Sequence, residues 1–552
     1  MKTIKQYKNF LAVALLLFAL LISAACSDDL EKSPSNSYDS ATFWSNETNA
    51  LIGLTAVYRG NLTYAQKNDL GDWWSYAGIS LLDLASDNSY DRRGDNSTIN
   101  RLTNGTLLPN NSVIDSLWKG SYKKVTLAND FLAHIDGVPM NEIQKARFKA
   151  EARFLRASQY FYLSQHFGAV PLVEKVLTAE EANTVGKQSK AEIEAFVAKE
   201  FEASIPDLPR FKDIPAAETG RLSKQAALAF LGRLQLAQKK FKEAAATYKQ
   251  IIDLGDNIID PDYAGLFNTS NENSAENIFS MQFIALNAPN FLPQHAYPAI
   301  AGGWHFVNPL ESLAAEYDFI DGTPFAYDDP RHNLADRSEN RDPRFAYTLL
   351  WDGCRFGAQL YDCHPDHSAS LDQLTVSKQA TRTGYGLRKF FDENFSGKLS
   401  TDYGGNMPII RYAEVLLSYL EAVLEAGDPI TQSLLDETIN KVRGRASVGM
   451  PPITETNADK LRPILRKERR IELALEGIRL WDLLRWGIAG EVLKGDFWGA
   501  SFPDSNGKLN LPNGYAKDAN SRWWVTKKNF RTGQDELWPI PESETNINPN
   551  LK

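Results

Sequence analysis

Residues able to do chemistry fall into three groups, and the first mixes aromatic rings with polar rims. Asp72, Trp73, Trp74 and Tyr76 are followed by Asp83, Asp87, Asn88 and Tyr90, and a second segment, AGGWHFVN, carries Trp304, His305 and Asn308. Aromatic faces stack on apolar C–H surfaces while carboxylates, amides and imidazoles bond hydroxyls, which is the composition of a saccharide site. Gly302 and Gly303 would let the backbone come close to a ligand. The competing role of any one of these tryptophans is to plug the core.

The second group is Cys354 and Cys363, which frame CRFGAQLYDC, with His364 and His367 just beyond. Zinc modules need a tighter cysteine pair than this. In an exported protein the pair reads as a disulfide across the loop, stabilising it by about 2–3 kcal/mol. The third group is Glu472 and Glu476, the spacing of a possible acid and base. A glycosidase pair must flank an open cleft at about 5–10 Å. On one buried helix rich in arginine these carboxylates read instead as ion pairs. His134 and His166 sit in helical patterns as packing residues. No glycine-rich phosphate loop or nucleophile motif is present, and no metal or cofactor is expected.

The elements that hold these groups are mostly helical. Residues 465–487, LRKERRIELALEGIRLWDLLRWG, predict one central helix. Glu468, Glu472, Glu476, Arg479 and Trp486 share about a quarter turn, and apolar residues take most of the rest. Its carboxylates are expected to bond Arg469, Arg470 and Arg479, because buried charge needs a partner. Helical periodicity also runs from Phe43 to Tyr58, through SLWKGSYKKVTLANDFLAHI and IQKARFKAEARFLRASQYFYLSQHF, and through RYAEVLLSYLEAVLEAG. In RLSKQAALAFLGRLQLAQKKFKEAAATYKQIIDLG, residues Leu231, Gly232, Ala244 and Tyr248 fit the tetratricopeptide pattern in part. Between residues 256 and 403 periodicity gives way to Gly, Pro, Asn and aromatics, the composition of long loops and short strands.

With 552 residues, the chain exceeds the usual size of a single core. A net charge of −9 excludes a nucleic-acid footprint, which needs a basic face. Lys2, Lys5 and Lys8 precede an apolar run over residues 10–22, then Ser23, Ala24, Ala25 and Cys26. That order resembles a bacterial lipoprotein signal, with Cys26 as the lipidated residue and the membrane reached only through its acyl chains. The expected organisation is a signal peptide over 1–25 and a lipidated, flexible tether over 26–40. A helical scaffold with tetratricopeptide-like pairs follows over 41–255, a loop-rich inserted lobe over 256–404, and a C-terminal helical region over 405–552.

Several stretches together resemble the SusD/RagB family. They are FLRASQYFYLSQHFGAVPL at 154–172, NRDPRF at 340–345, TGYGLRKF at 383–390 and RYAEVLLSYLEA at 411–422, then NKVRGRA at 440–446, ERRIELALEGIRLWDLLRWG at 468–487 and LWPIPESETNINPNL at 537–551. The resemblance implies an all-α-dominated, SusD-like fold and a non-enzymatic lipoprotein on the bacterial outer-membrane surface. Such a protein would capture oligosaccharides and deliver them to a SusC-type TonB-dependent transporter that it caps like a lid. Ser27, Asp28 and Asp29 fit the family's surface-export signal. The RagB branch implies the alternative, a peptide-binding lid. By the same resemblance, ligand contacts come from loops such as those carrying Trp73, Trp74, Tyr76, Asp87, Asn88, Trp304 and His305.

Overall fold

Asparagine and serine side chains start the long helices of the first half. In this computed structural model, which describes residues 43–59, 72–375, 378–505 and 517–552, the first is α1 (Glu47–Arg59), followed by α2 (Tyr76–Leu84). Asn111 accepts from the Val113 N–H to open α3 (Ser112–His134), and Asn141 does the same for α4 (Glu142–His166). A reciprocal Ser189–Glu192 box opens α5 (Lys190–Ser204), and Ser223 caps α6 (Lys224–Ala237). Gly255, in the left-handed region, ends α7 (Phe241–Leu254). From α3 to α7 each helix packs on the next. Within the last pair, Gly232 faces the Tyr248 ring so closely that a Cβ there would lie 2.5 Å from it. That contact is what the tetratricopeptide-like spacing requires. The signal, the tether and Cys26 lie outside the described residues.

Short antiparallel strands, all but the first in the second half, join further helices there. The strands are β1 (Ser89–Asp91), β2 (Asn277–Met281), β3 (Val307–Pro309), β4 (Leu349–Trp351), β5 (Arg355–Phe356), β6 (Gln359–Leu360), β7 (Tyr385–Leu387), β8 (Met407–Arg411), β9 (Lys494–Ser501) and β10 (Arg522–Asn529). They pair only in twos: β1 with β3, β2 with β8, β4 with β7, β5 with β6 and β9 with β10. The helices α8 (Tyr412–Glu425), α9 (Ala458–Glu472) and α10 (Arg479–Arg485) complete a mostly helical fold. Among the described residues no helix is long and apolar enough to cross a membrane.

The single helix expected over 465–487 is two. α9 stops at Glu472, Leu475 and Gly477 take positive φ values of 65° and 78°, and α10 begins at Arg479. The Asp83 carboxylate accepts the Leu475 and Gly477 N–H groups, and a Cβ at position 477 would lie 2.7 Å from the Ile79 carbonyl oxygen. Close approach to α2 therefore sets the break. The ion pairs differ from expectation as well. Glu468 meets Arg344 and Arg443, both at 2.6 Å, and Glu476 meets Arg411 and Lys389, both at 2.6 Å. Glu472 meets Arg445 at 2.6 Å, Arg344 at 3.0 Å and Arg411 at 3.1 Å. Arg469 turns instead to Asp482, while Arg470 and Arg479 converge on Asp87. Glu468, Glu472 and Glu476 thus take their cationic partners from other segments of the chain.

His166 packs against both Trp73 and Trp538, at ring-centroid distances of 5.0 and 4.6 Å. Burial, then the charge of Lys190, pushes its imidazole down to about 3. An unfolded histidine takes a proton below about pH 6.5. This contribution to stability is therefore complete above that pH and is lost as pH falls through the range from 6.5 to 3. Urea titrations between pH 4 and 7 are expected to show a shallower acid loss in His166→Phe than in the native chain. Identical slopes would exclude His166 as a source of acid sensitivity.

Candidate functional site

Residues 290–309 make an exposed aromatic face by folding back on themselves. Pro293 lies in the first turn of a short helix, Leu292–Ala296, and the returning chain runs beside it. The N–H groups of Trp304, His305 and Phe306 donate to the carbonyls of Gln294, Tyr297 and His295 at 2.8, 3.1 and 2.8 Å. A Cβ at Gly303 would stand 2.3 Å from the Tyr297 carbonyl oxygen, and Gly302 takes φ +85°. Both glycines are thus used by the fold-back itself, a correction to their expected role beside a ligand.

His305 adopts φ 53°, and its ring is fully buried against Tyr361, with Nδ1 3.5 Å from the Asp372 carboxylate. Trp304 and Phe306 stay half-buried, their ring centroids 5.6 Å apart. His295 stands 5.4 Å from the Trp304 ring and 4.9 Å from that of Phe306. Burial, then the charge of Arg93, pushes His295 down to about 3, so it is a neutral imidazole near pH 7. The β1–β3 pairing sets Tyr90 opposite Asn308 and delivers the next two residues to the face. The Arg92 N–H donates to the Phe306 carbonyl at 3.1 Å, and the guanidinium carbons of Arg92 and Arg93 lie 4.9 and 5.0 Å from the Phe306 ring centroid.

A second half-buried aromatic group lies on the β9–β10 hairpin. The Arg522 guanidinium, paired with Asp518 at 2.6 Å, sits 5.3 Å from the Tyr327 ring and 5.6 Å from that of Trp498. Tyr90, Leu310, Phe497 and Val525 form a small apolar cluster that ties this hairpin to β1 and β3.

The first expected segment is not a platform. Trp73 and Trp74 are buried, Trp73 donating to Ser121 at 2.9 Å and Trp74 to the Tyr162 hydroxyl at 3.2 Å. Their rings fill the space between α2, α3 and α4. Asp72 is taken by Lys124 at 2.6 Å. Asp87 is held by Arg470 and Arg479, each at 2.8 Å, and those charges keep its carboxyl well below the usual range despite burial. Asn88 donates to Asp83 and accepts from Arg470. Tyr76 begins α2, and its side chain lies outside those described. Of the seven expected contacts, Trp304 alone has a described side chain open to solvent.

Cys354 and Cys363 are free thiols, a correction to the expected disulfide. Each sulfur already has its own partner: Cys354 accepts from the Trp351 N–H at 3.4 Å, and Cys363 donates to the Gly384 carbonyl at 3.2 Å. Burial pushes the Cys354 thiol up to about 12 and the Cys363 thiol well above its ordinary value, so neither is a nucleophile near neutral pH. Among the described residues no His, Cys, Asp and Glu cluster could hold a metal ion. Glu472 is fully buried, and both carboxylates are held by cations, Glu472 by Arg445 and Glu476 by Lys389, each at 2.6 Å.

Phe306, Arg92, Arg93, His295, Tyr327, Trp498 and Arg522 were absent from the residues expected in the site. Phe306 carried a signal, standing two places after Trp304 in the same segment. The arginines carried none, because nothing local pairs residues 89–91 with 307–309.

Family comparison matches the SusD family over residues 266–552, and a group described as "Starch-binding associating with outer membrane" over residues 60–236. SusD-like protein P25 of Formosa agariphila is 23% identical, with 99% of this chain and 98% of that protein covered. Among solved structures, a SusD-like carbohydrate binding protein from Bacteroides fragilis superposes with a TM-score of 0.90 at 48% identity, covering 93% of this chain and 100% of that one. A laminarin binding SusD-like protein superposes at 0.67 with 25% identity, covering 91% and 98%.

Proposed function

We propose, from the premise that this chain belongs to the SusD family, that it is a glycan-binding protein whose contact face is built on Trp304 and Phe306. It binds without catalysis, at the outer membrane. It is held there by acyl chains on Cys26, faces the cell exterior, and passes captured oligosaccharide to a SusC-type TonB-dependent transporter. The observation that carries the reading is the half-buried Trp304 ring, fixed by backbone bonds on both sides and rimmed by arginine and neutral histidine. A sugar ring stacks its C–H face there and bonds its hydroxyls at the rim. The relatives named above as carbohydrate binding and laminarin binding support the ligand class.

Isothermal titration of the soluble chain beginning after Cys26, against a panel of polysaccharides, tests this. Saturable binding is expected. Trp304→Ala is expected to weaken it by about 2 kcal/mol, roughly thirtyfold, as for a central aromatic anchor. Its melting temperature should stay near the native value, because the ring is only half-buried. Unchanged affinity would remove this face from the site, and binding of peptides in place of saccharides would overturn the ligand class.

A further inference from the structure

Beside the Trp304–Phe306 face the guanidiniums of Arg92 and Arg93 stand over the Phe306 ring, and the charge of Arg382 reaches Arg92. Arg93 is satisfied, its Nε and Nη2 closing on Asp91 at 3.0 and 2.6 Å. Arg382 is brought in by β3, its N–H donating to the Asn308 side-chain oxygen at 2.9 Å. The charges of both act on Arg92. No described carboxylate pairs with it, and its Nε is buried without a hydrogen-bond acceptor. Asp95, the next carboxylate along the loop, is engaged by the Tyr90 and Thr526 hydroxyls at 2.9 and 2.6 Å. Burial, then the charge of Arg382, disfavours the protonated form of Arg92.

A buried donor without an acceptor and like charges held together both cost free energy in the empty protein. Both costs are relieved by an anionic group arriving with the ligand, and a planar guanidinium fork suits an oxyanion with two or three equivalent oxygens. In a chain of net charge −9, a local excess of positive charge at an aromatic face is a selective feature, not a general one.

We propose that Arg92, with Arg382 beside it, is a subsite for an acidic substituent, the carboxylate of a uronic acid or a sulfate ester, on a sugar whose ring or neighbour stacks on Trp304. This deepens and rests on the saccharide-binding reading above. Arg93 is already paired with Asp91 and serves to hold the Phe306 side of the face.

The test uses the soluble mature chain and two sets of probes. Polygalacturonate, alginate and chondroitin sulfate make the acidic set; laminarin, starch and arabinan make the neutral set. At least one acidic probe is expected to bind more tightly than every neutral probe, with affinity falling as NaCl is raised from 50 to 500 mM. Arg92→Gln and Arg382→Gln are each expected to weaken the acidic ligand at least tenfold and to flatten that salt dependence. Arg92→Lys should retain part of the affinity, and circular dichroism of each variant checks that it is folded. Binding confined to neutral probes would overturn the acidic subsite and leave saccharide capture standing. Acidic binding indifferent to both folded glutamine variants would also overturn it. No binding to either set would overturn this subsite and the saccharide reading together.

Discussion

Glu472→Ala is expected to lower the free energy of unfolding by about 3–5 kcal/mol, the cost of removing one partner from a buried ion cluster. Glu472 is fully buried at the end of α9, where three guanidiniums reach it from distant segments: Arg445 at 2.6 Å, Arg344 at 3.0 Å and Arg411 at 3.1 Å. Burial alone would raise its carboxyl, but Arg445, Arg411 and Arg344 hold it down, to about 2. Without it, Glu276 and Glu476 still neutralise part of Arg411, and Glu276 part of Arg445, yet buried positive charge is left in excess. Because the folded pKa is depressed, this contribution is complete above about pH 4.3, the ordinary glutamate value, and is lost as pH falls toward 2. Urea denaturation at pH 7, followed by far-ultraviolet circular dichroism, measures it. A midpoint equal to the native one would mean that the cluster adds nothing net.

Trp73→Ala is expected to destabilise by a similar amount, about 3–5 kcal/mol, the usual cost of deleting a large buried ring. Its indole stacks on Tyr162 and His166 at 5.0 Å each, lies 5.9 Å from Trp538, and donates to Ser121. Trp538 belongs to the C-terminal tail, whose backbone N–H bonds the His166 carbonyl at 2.6 Å. The cavity would therefore loosen the tail along with α3 and α4, and limited proteolysis should cut the variant first near residue 538. Saccharide affinity per folded molecule should be unchanged. Lost affinity with native stability would return Trp73 to the ligand site.

Much of the scaffold was legible in the sequence. The helical periodicity of SLWKGSYKKVTLANDFLAHI, IQKARFKAEARFLRASQYFYLSQHF and RYAEVLLSYLEAVLEAG holds as α3, α4 and α8, and Gly232 and Tyr248 announce a close helix pair. The family motifs extended that reading to the whole fold. Burial was harder to read. Trp73–Trp74 and Trp304 both sit just after glycine among aromatic and polar residues, yet one pair fills the core and the other residue lines the surface. What separates them is which partner segments arrive, Tyr162 and His166 for the first and only His295, Phe291 and Phe306 for the second. The break at Leu475–Gly477 was masked for the same reason. Apolar periodicity continues straight through it, while the Asp83 carboxylate that accepts its N–H groups lies far upstream in the chain.

The three-residue pairing of β1 with β3 gives the face a natural set of cut points. At the end of the ladder away from the face, Asn88 is locked by Asp83 and Arg470, and buried Leu310 puts its N–H on the Asn88 carbonyl. That anchored end holds residues 92–96 and 302–306 side by side at the other end of the ladder, where the Arg92 N–H meets the Phe306 carbonyl. Exchanging those two short segments together between relatives should transplant ligand preference while the charged interior beneath them stays as it is. Exchanging either one alone should break the Arg92–Phe306 seam and yield a folded protein with a blunted face.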